Sequence, residues 1–155
     1  MKHHTKTKGD LGVLKAQCDL YEKGYDILIP LTEHAPFDLV IHKNGEFDRV
    51  QVKYISLENE NTIRLKIGSS WSDKKGKHFK LYNRNDLDIF CIYCPNTNKC
   101  YYIRFEDIDV EKQISFRLNE KHYRNQFTTR LLSDYENIKP KNASVSPVTS
   151  NHLKG

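Results

Sequence analysis

The sequence predicts an α/β domain of α+β character, in which a helix, a mostly antiparallel sheet and a late second helix follow one another. Three observations predict it. Residues 7–23 repeat apolar side chains at helical spacing, and two pairs of β-rich runs flank turn sequences. The 155 residues and their 11% aromatic content suffice for one core but not for two. We expect one domain over residues 1–138 and a flexible tail over residues 139–155, where little can be buried.

The first helix is predicted from four apolar side chains spaced one helical turn apart: Leu11, Leu14, Cys18 and Tyr21. Thr7 and Asp10 resemble a capping box at its start, and Gly24 supplies a C-terminal stop. Residues 25–29 then form a short apolar run that ends at Pro30. This run indicates a strand that enters a loop.

The dipeptide Asn44-Gly45 is the strongest short-range hairpin signal in the chain. As the central residues of a type I′ turn, they set a register in which Asp38 lies opposite Gln51. Lys53 shares that face, one diagonal step from Asp38, because side chains alternate along a strand. The opposite face carries apolar side chains that suit a core layer: Phe37, Leu39, Ile41, Val50 and Val52. One face is predicted to pack while the other remains available for chemistry.

The remaining elements follow C-terminal to this hairpin. They are a strand over 62–68, a turn or mobile loop over 69–76, a hairpin whose strands cover 88–94 and 99–105, a half-buried strand over 114–118 and a closing helix over 128–135. Cys91 and Cys94 point to opposite faces of a strand, which argues against a zinc site. We expect the four cysteines to be free thiols.

Composition narrows the class of function. The formal net charge is +5, which favours polyanionic partners without requiring them. No apolar run approaches the length of a membrane span, and the first residues lack the hydrophobic stretch of a secretory signal. We therefore expect a cytoplasmic protein with no membrane partner. Walker-type glycine loops, serine-esterase elbows and dinucleotide fingerprints are absent from the sequence.

The hairpin face combines a carboxylate, a carboxamide and an ammonium group. Asp38 and Gln51 offer oxygen ligands for a hard cation such as Mg²⁺, which keeps several of its waters in protein sites. Lys53 can position or help deprotonate such a water and stabilise charge that builds on a phosphate. These groups together favour phosphodiester hydrolysis. The simpler interpretation is an exposed ion pair between Asp38 and Lys53, worth about 0–1 kcal/mol.

The motif at this hairpin resembles a known nuclease signature. Pro36-Phe37-Asp38, then twelve residues, then Gln51-Val52-Lys53 is similar to the core of the PD-(D/E)XK nuclease superfamily, with glutamine in the second acidic position. The flanking residues resemble the group I intron homing endonuclease branch: Lys8-Gly9-Asp10, Gly24-Tyr25, residues 30–40, Tyr93-Cys94-Pro95 and Tyr101-Tyr102-Ile103. The resemblance covers about two-thirds of the chain and implies a restriction-endonuclease-like core, with a mixed sheet flanked by helices.

The resemblance also implies roles for individual residues. Asp38 would be a metal ligand, Gln51 would take the place of the usual acid, and Lys53 would be the catalytic lysine. The main-chain carbonyl of Val52 would be an additional ligand. The family usually has a glutamate on the first helix where this chain has Val13, which cannot bind a metal. Asp10 lies close to one helical turn before Val13. It would be either a substitute ligand of shorter reach or only the helix cap.

A basic segment follows the hairpin and suits DNA contacts. Its members, interleaved with aromatic side chains, are Arg64, Lys66, Trp71, Lys74, Lys75, Lys77, Lys80 and Arg84. Lysines and arginines on an extended strand and loop can contact phosphates, and a β-ribbon can enter the major groove. The alternative interpretation is a solvated strand edge that lysines protect from pairing.

Together these features lead to one main hypothesis and two alternatives. The main hypothesis is a Mg²⁺-dependent, site-specific endonuclease of the homing type that cuts double-stranded DNA. One active site per chain implies a homodimer or homotetramer on a roughly palindromic target. The first alternative is a Holliday-junction resolvase or a restriction-like nuclease. The second is a non-catalytic DNA-binding module with a degenerate nuclease site.

Overall fold

The computed structural model describes residues 4–120 and 130–142. Within these ranges lie one α-helix, α1 (His4–Glu22), and short 3-10 helices at Phe105–Asp107 and Leu132–Tyr135. The strands are β1 (Asp26–Leu28), β2 (Leu39–Lys43), β3 (Glu46–Tyr54), β4 (Thr62–Lys66), β5 (Gly68–Asp73), β6 (Gly76–Leu81), β7 (Ile89–Cys94), β8 (Lys99–Arg104) and β9 (Gln113–Arg117). The predicted α/β class is confirmed.

The main sheet has the strand order β1-β2-β3-β7-β8. Its strand pairs are antiparallel except for β3 and β7, which run parallel. A parallel pair requires a crossover connection, and here the connection contains β4, β5 and β6 instead of a helix. As a result, β3 and β7 are neighbours in the sheet although three strands separate them in the sequence.

The first hairpin has the predicted register. Asn44 and Gly45 adopt φ angles of 53° and 79°, as the two central positions of a type I′ turn require. Lys43 pairs with Glu46, and the register continues to Leu39 opposite Val50. Four of the five predicted core residues on this hairpin are buried, whereas Phe37 is half-buried and lies outside the core clusters.

The helix packs through a different face from the one its apolar row suggested. Leu14 is 62% exposed and Tyr21 is 74% exposed, while Gly12 and Ala16 are buried against the sheet. A Cβ atom at Gly12 would lie only 3.5 Å from the Cβ of Tyr54 on β3. Gly12 and Ala16 therefore let α1 approach the sheet closely, and the apolar row predicted from the spacing is left facing solvent.

Two hydrophobic clusters lie on opposite faces of the main sheet. One joins α1 to the sheet through residues such as Leu20, Val50 and Tyr102. The other is covered by the antiparallel pair β4–β9, where Leu65 and Phe116 are fully buried. Alternation along β3 sends its odd-numbered side chains 51 and 53 toward this second side.

Two predicted elements require correction. Residues 69–76, predicted as a turn or mobile loop, lie mostly in the antiparallel ribbon formed by β5 and β6, whose turn is at residues 74–75. The closing helix predicted over 128–135 is only the 3-10 turn Leu132–Tyr135 in the described part, and residues 128–129 lie outside the description. The second hairpin and the strand containing Ile114 and Phe116 are confirmed.

The predicted tail begins with residues that bind the domain. Arg104 donates from Nε to the carbonyl of Lys139, and the Lys141 ammonium donates to the carbonyl of Phe47 at 3.1 Å. Residues 143–155 lie outside the described ranges. Within the described residues, no helix combines the length and apolar character that a bilayer crossing demands.

Candidate active site

Asp38 and Gln51 meet at the open end of the first hairpin. The Asp38 main-chain N–H donates to the carbonyl of Val50 at 2.9 Å and so extends the pairing by one residue. Its carboxylate oxygen Oδ2 accepts hydrogen bonds from the Val52 N–H at 2.7 Å and from Gln51 Nε2 at 2.9 Å. The side chain is thus fixed by β3, and neither of these bonds uses its second oxygen.

Lys53 extends from β3 toward the base of the β5–β6 ribbon. Its ammonium donates to the Tyr82 hydroxyl at 2.7 Å and to the main-chain carbonyl of Gly68 at 3.4 Å. The ammonium nitrogen also lies 4.7 Å from the centroid of the Tyr82 ring, within cation–π range. Gln51 is in direct contact with Asp38, and the Lys53 charge acts on the Asp38 carboxyl, so the three residues form one cluster. Lys53 also contacts two groups that the sequence analysis did not include.

Burial perturbs the three titratable groups of this cluster. It raises the pKa of the Asp38 carboxyl, against the opposing effects of the Val52 N–H and the Lys53 charge. It lowers the pKa of the Lys53 ammonium, with Asp38 acting in the opposite sense. The pKa of Tyr82 is raised to about 12, first by burial and then by the Asp38 charge, so the phenol stays protonated at neutral pH. Perturbed groups of both signs in one cluster are typical of functional sites.

The donor atoms at this cluster fit a hard cation. Asp38 Oδ1 and the carbonyl oxygen of Gln51 are oxygen ligands of the kind that Mg²⁺ prefers. The N–H and C=O of one strand residue point to the same side, so the Val52 carbonyl faces the edge where its N–H meets Asp38. A groove of about 290 Å³ along residues 29–38 opens beside Asp38. These groups would hold a cation through one carboxylate and two neutral oxygens.

The helix contributes no carboxylate that joins this cluster in the described residues. Val13 is half-buried and packs against the core cluster on the α1 side. Asp10 is exposed and lies inside α1, which already begins at His4 in the described residues, so the predicted capping role of Thr7 and Asp10 is wrong. Across residues 4–120 and 130–142, no three His, Cys, Asp or Glu side chains come together as a metal-binding group.

Most of the basic segment lies on or beside the β5–β6 ribbon. Trp71 is 47% exposed and stacks on His78, with 5.2 Å between the ring centroids. Lys66 and Lys77 line a groove of about 620 Å³ between the ribbon and the end of the β4–β9 pair. Lys80 is exposed on β6, and the turn carries the two lysines 74 and 75, also exposed.

Two members of the predicted DNA-binding set make contacts within the protein. The Arg64 guanidinium pairs with Glu58 at 3.0 Å, and both side chains remain partly exposed. Arg84 donates to the carbonyls of Phe105 at 2.6 Å and Ile108 at 2.5 Å. Its guanidinium also lies over the Phe105 ring at 4.5 Å, so Arg84 stabilises the chain around this 3-10 turn.

Sequence reasoning missed Tyr82 and Gly68 as members of the active-site cluster. Tyr82 lies within the basic segment, and Gly68 is the last residue of the strand predicted over 62–68, but neither was assigned a role in the site. Gly68 has a structural signature, because a Cβ there would lie 2.5 Å from the Lys80 carbonyl oxygen. The crossover between β3 and β7 brings both residues to Lys53, and no local sequence pattern predicts that crossover. The sequence therefore did not indicate that Tyr82 and Gly68 lie beside Lys53.

The fold and this cluster are typical of a nuclease. A family model for PD-(D/E)XK endonucleases matches residues 3–138, and the chain belongs to that family. Among solved structures, the chain is similar to the one described as "a bacterial homing endonuclease: I-Ssp6803I", with a TM-score of 0.68 and 23% identity. That match covers 85% of this chain and 88% of the other. No curated protein sequence matches the chain.

Proposed function

We propose that the protein is a Mg²⁺-dependent endonuclease of the homing type that makes site-specific double-strand cuts in DNA. The observation that carries the proposal is the clustering of the Asp38 carboxylate with the Gln51 carboxamide and the Lys53 charge, with an open groove beside Asp38. When bound, Mg²⁺ would supply an activated water and neutralise charge on the scissile phosphate. Membership of the PD-(D/E)XK endonuclease family supports the proposal.

Each residue has a part in that reaction. Asp38 would hold the cation through Oδ1 while its other oxygen stays fixed by the Val52 N–H. Gln51 would turn its carbonyl oxygen toward the cation and keep its Nε2 donor on Asp38. Lys53 would stabilise the negative charge that builds on the phosphate, or take a proton from the attacking water. Its lowered pKa makes the neutral amine more accessible than it is in an exposed lysine.

The test uses intron-lacking DNA of the host as substrate. Wild-type protein with Mg²⁺ should cut this DNA at one site, and Lys53→Ala should cut about 100-fold more slowly or worse. Lys99→Ala is the matched control, because Lys99 is a surface lysine whose ammonium pairs with Glu136 at 2.8 Å. Equal cutting by wild type and Lys53→Ala would contradict the assignment of the site.

The ribbon is the proposed DNA surface. It presents a stacked Trp71–His78 pair, and Lys77 lines the neighbouring groove. The contribution of phosphate contacts to DNA affinity should depend on salt concentration, because each neutralised phosphate releases counterions. Lys77→Ala should weaken binding on all sequences alike and reduce the slope of log K against log salt by about 1. An unchanged slope would remove Lys77 from the DNA surface.

A homodimer or homotetramer would supply the second active site that a double-strand cut needs. The exposed row on α1 supports self-association, since Leu11, Leu14, Cys18 and Tyr21 follow the 3-4-3 spacing of a coiled-coil seam. In an antiparallel pair of α1 helices, Leu14 would face Cys18 of the second copy. Sedimentation should show that Leu14→Glu lowers the association state, whereas Thr5→Glu, outside the row, should not.

One observation favours a second candidate, a DNA-binding module that has lost catalysis. Val13 stands where the family's helix acid is expected, and Asp10 is exposed. Calorimetric titration with Ca²⁺ separates the candidates when it is done on protein alone and on its DNA complex. Ion uptake by the complex favours the enzyme. Strong, salt-dependent DNA binding without ion uptake or cleavage favours the module.

A further inference from the structure

We propose that Tyr82 is a positioning residue, which together with the Gly68 carbonyl directs the Lys53 ammonium toward the scissile phosphate and ties the base of the β5–β6 ribbon to that lysine. The proposal rests on the proposed function, since it assigns a role within the same site. It concerns two contacts that the motif itself does not contain.

The contacts at Lys53 leave one direction for chemistry. A lysine ammonium has three N–H donors. One points to the Tyr82 hydroxyl at 2.7 Å, and a second points to the Gly68 carbonyl at 3.4 Å. The third can reach a phosphate oxygen without breaking either bond. A flexible four-carbon side chain is thereby confined by two acceptors before any substrate arrives.

Both acceptors are themselves fixed by packing. The Tyr82 main-chain N–H donates to the Ile67 carbonyl at 3.1 Å, and its ring lies edge-on to Phe90 at 5.6 Å. At Gly68 the strands β5 and β6 approach so closely that a Cβ would meet the Phe79 ring at 2.5 Å. Supported acceptors of this kind hold a side chain in place, as a productive site requires.

The two acceptors lie at the base of the ribbon, at the end opposite its turn. Gly68 is the first residue of β5 and pairs with Leu81, and Tyr82 directly follows the last residue of β6. The chain therefore contacts the same ammonium where it enters the ribbon and where it leaves it. If DNA bound on the Trp71 side displaces the ribbon, both acceptors move together. DNA binding and the direction of the Lys53 ammonium are therefore linked.

Tyr82→Phe tests the role, because it removes the hydroxyl and keeps the ring that faces the ammonium. The matched control is Tyr101→Phe, which removes a hydroxyl that donates to Thr97 Oγ1 at 2.9 Å in the distant turn between β7 and β8. We expect kcat for DNA cleavage to fall about ten-fold in Tyr82→Phe with an unchanged Kd for DNA. Tyr101→Phe should leave both unchanged.

A measurement without DNA keeps this inference separate from the proposed function. The NMR signal of the Lys53 ammonium should shift or broaden in Tyr82→Phe and stay in place in Tyr101→Phe. That change, in a protein that cuts no DNA, would support the contact and reject the nuclease assignment. A cutting wild type whose Lys53 signal and kcat both survive Tyr82→Phe would overturn the positioning role.

A double-mutant cycle settles the remaining outcomes. If Tyr82 acts through Lys53, adding Tyr82→Phe to Lys53→Ala should cause no further loss of residual cleavage or of stability in urea. A full additional ten-fold loss, or an equal fall in DNA affinity, would show that Tyr82 acts through another route and would overturn the proposal. The stability measurements of the cycle can be made even if the protein does not cleave DNA.

Discussion

The Gly68→Ala substitution offers a direct test of how the ribbon joins the active site. A Cβ at this position would lie 2.5 Å from the Lys80 carbonyl oxygen, 2.5 Å from Cζ of Phe79 and 2.9 Å from its Cε2. Carbon–oxygen contacts this short do not occur, so either the β6 backbone or the β5 backbone must move. The Phe79 ring is partly exposed and can rotate, whereas the Lys80 carbonyl is part of the ribbon backbone. Overpacking of this kind costs about 1–3 kcal/mol.

The displacement should reach the catalytic cluster. Moving β5 carries the Gly68 carbonyl away from the Lys53 ammonium, which it accepts from at 3.4 Å. We therefore expect Gly68→Ala to lower the free energy of unfolding in urea by about 1–3 kcal/mol. We expect kcat for cleavage to fall about ten-fold or more, since small misplacements near reacting groups are costly.

Gly9→Ala is the matched control. It makes the same chemical change within α1, where a Cβ would meet nothing within 4 Å. It should raise the free energy of unfolding by roughly 0.5–1 kcal/mol, because alanine is the better helix former, and leave cleavage unchanged. A Gly68→Ala protein as stable and as active as wild type would refute the steric reasoning and the link to Lys53.

Three further predictions follow from buried or stacked groups. Arg104→Met should cost about 3 kcal/mol in urea unfolding, since it leaves Asp48 buried without its two hydrogen bonds from the guanidinium, although the ion pair with Lys141 remains; a loss below 1 kcal/mol would contradict this. Asp38→Asn should gain stability over wild type as pH rises. Burial raises the pKa of Asp38 in the folded protein. As the pH rises above about 3.8, the unfolded chain therefore releases this proton before the folded protein does, which lowers the stability of wild type but not that of Asp38→Asn. The gap between the two proteins should widen from pH 3 to pH 7, and a gap independent of pH would disprove the desolvation argument. Trp71→Ala should weaken binding to DNA about ten-fold with little change in urea stability, because the side chain is half-exposed; unchanged affinity would place DNA elsewhere.

The first hairpin was predictable because its determinants are local. Asn44 and Gly45 adopt positive φ angles at little cost, and this alone fixes every pair between β2 and β3. The alignment of Asp38 with Gln51 follows from that register without tertiary information. The ribbon β5–β6 was missed for the opposite reason. Its residues are mostly exposed, so no alternation between buried and exposed positions marks it as a strand pair.

The helix shows how one pattern can predict an element but mislead about its packing. The row containing Leu14 and Tyr21 did predict a helix, and a helix is present. Packing was decided instead by Gly12 and Ala16, whose small side chains permit a close approach to β3. Apolar spacing reports which residues share a face, whereas the distance between helix and sheet decides which face is buried.

In the described cluster of Asp38, Gln51 and Lys53, Asp38 is the one carboxylate, and this sets the charge balance of the cluster. Asp38 and Lys53 carry opposite formal charges, so the cluster has no net charge before a cation arrives, whereas a second acid from the helix would make it negative. A divalent cation added to a neutral cluster leaves an excess of positive charge, and a DNA phosphate provides the charge that balances it. Mg²⁺ in proteins is often held by one or two carboxylates together with substrate phosphates. Valine at position 13 is therefore compatible with a site that takes up its cation together with DNA, which makes uptake by the complex the informative comparison.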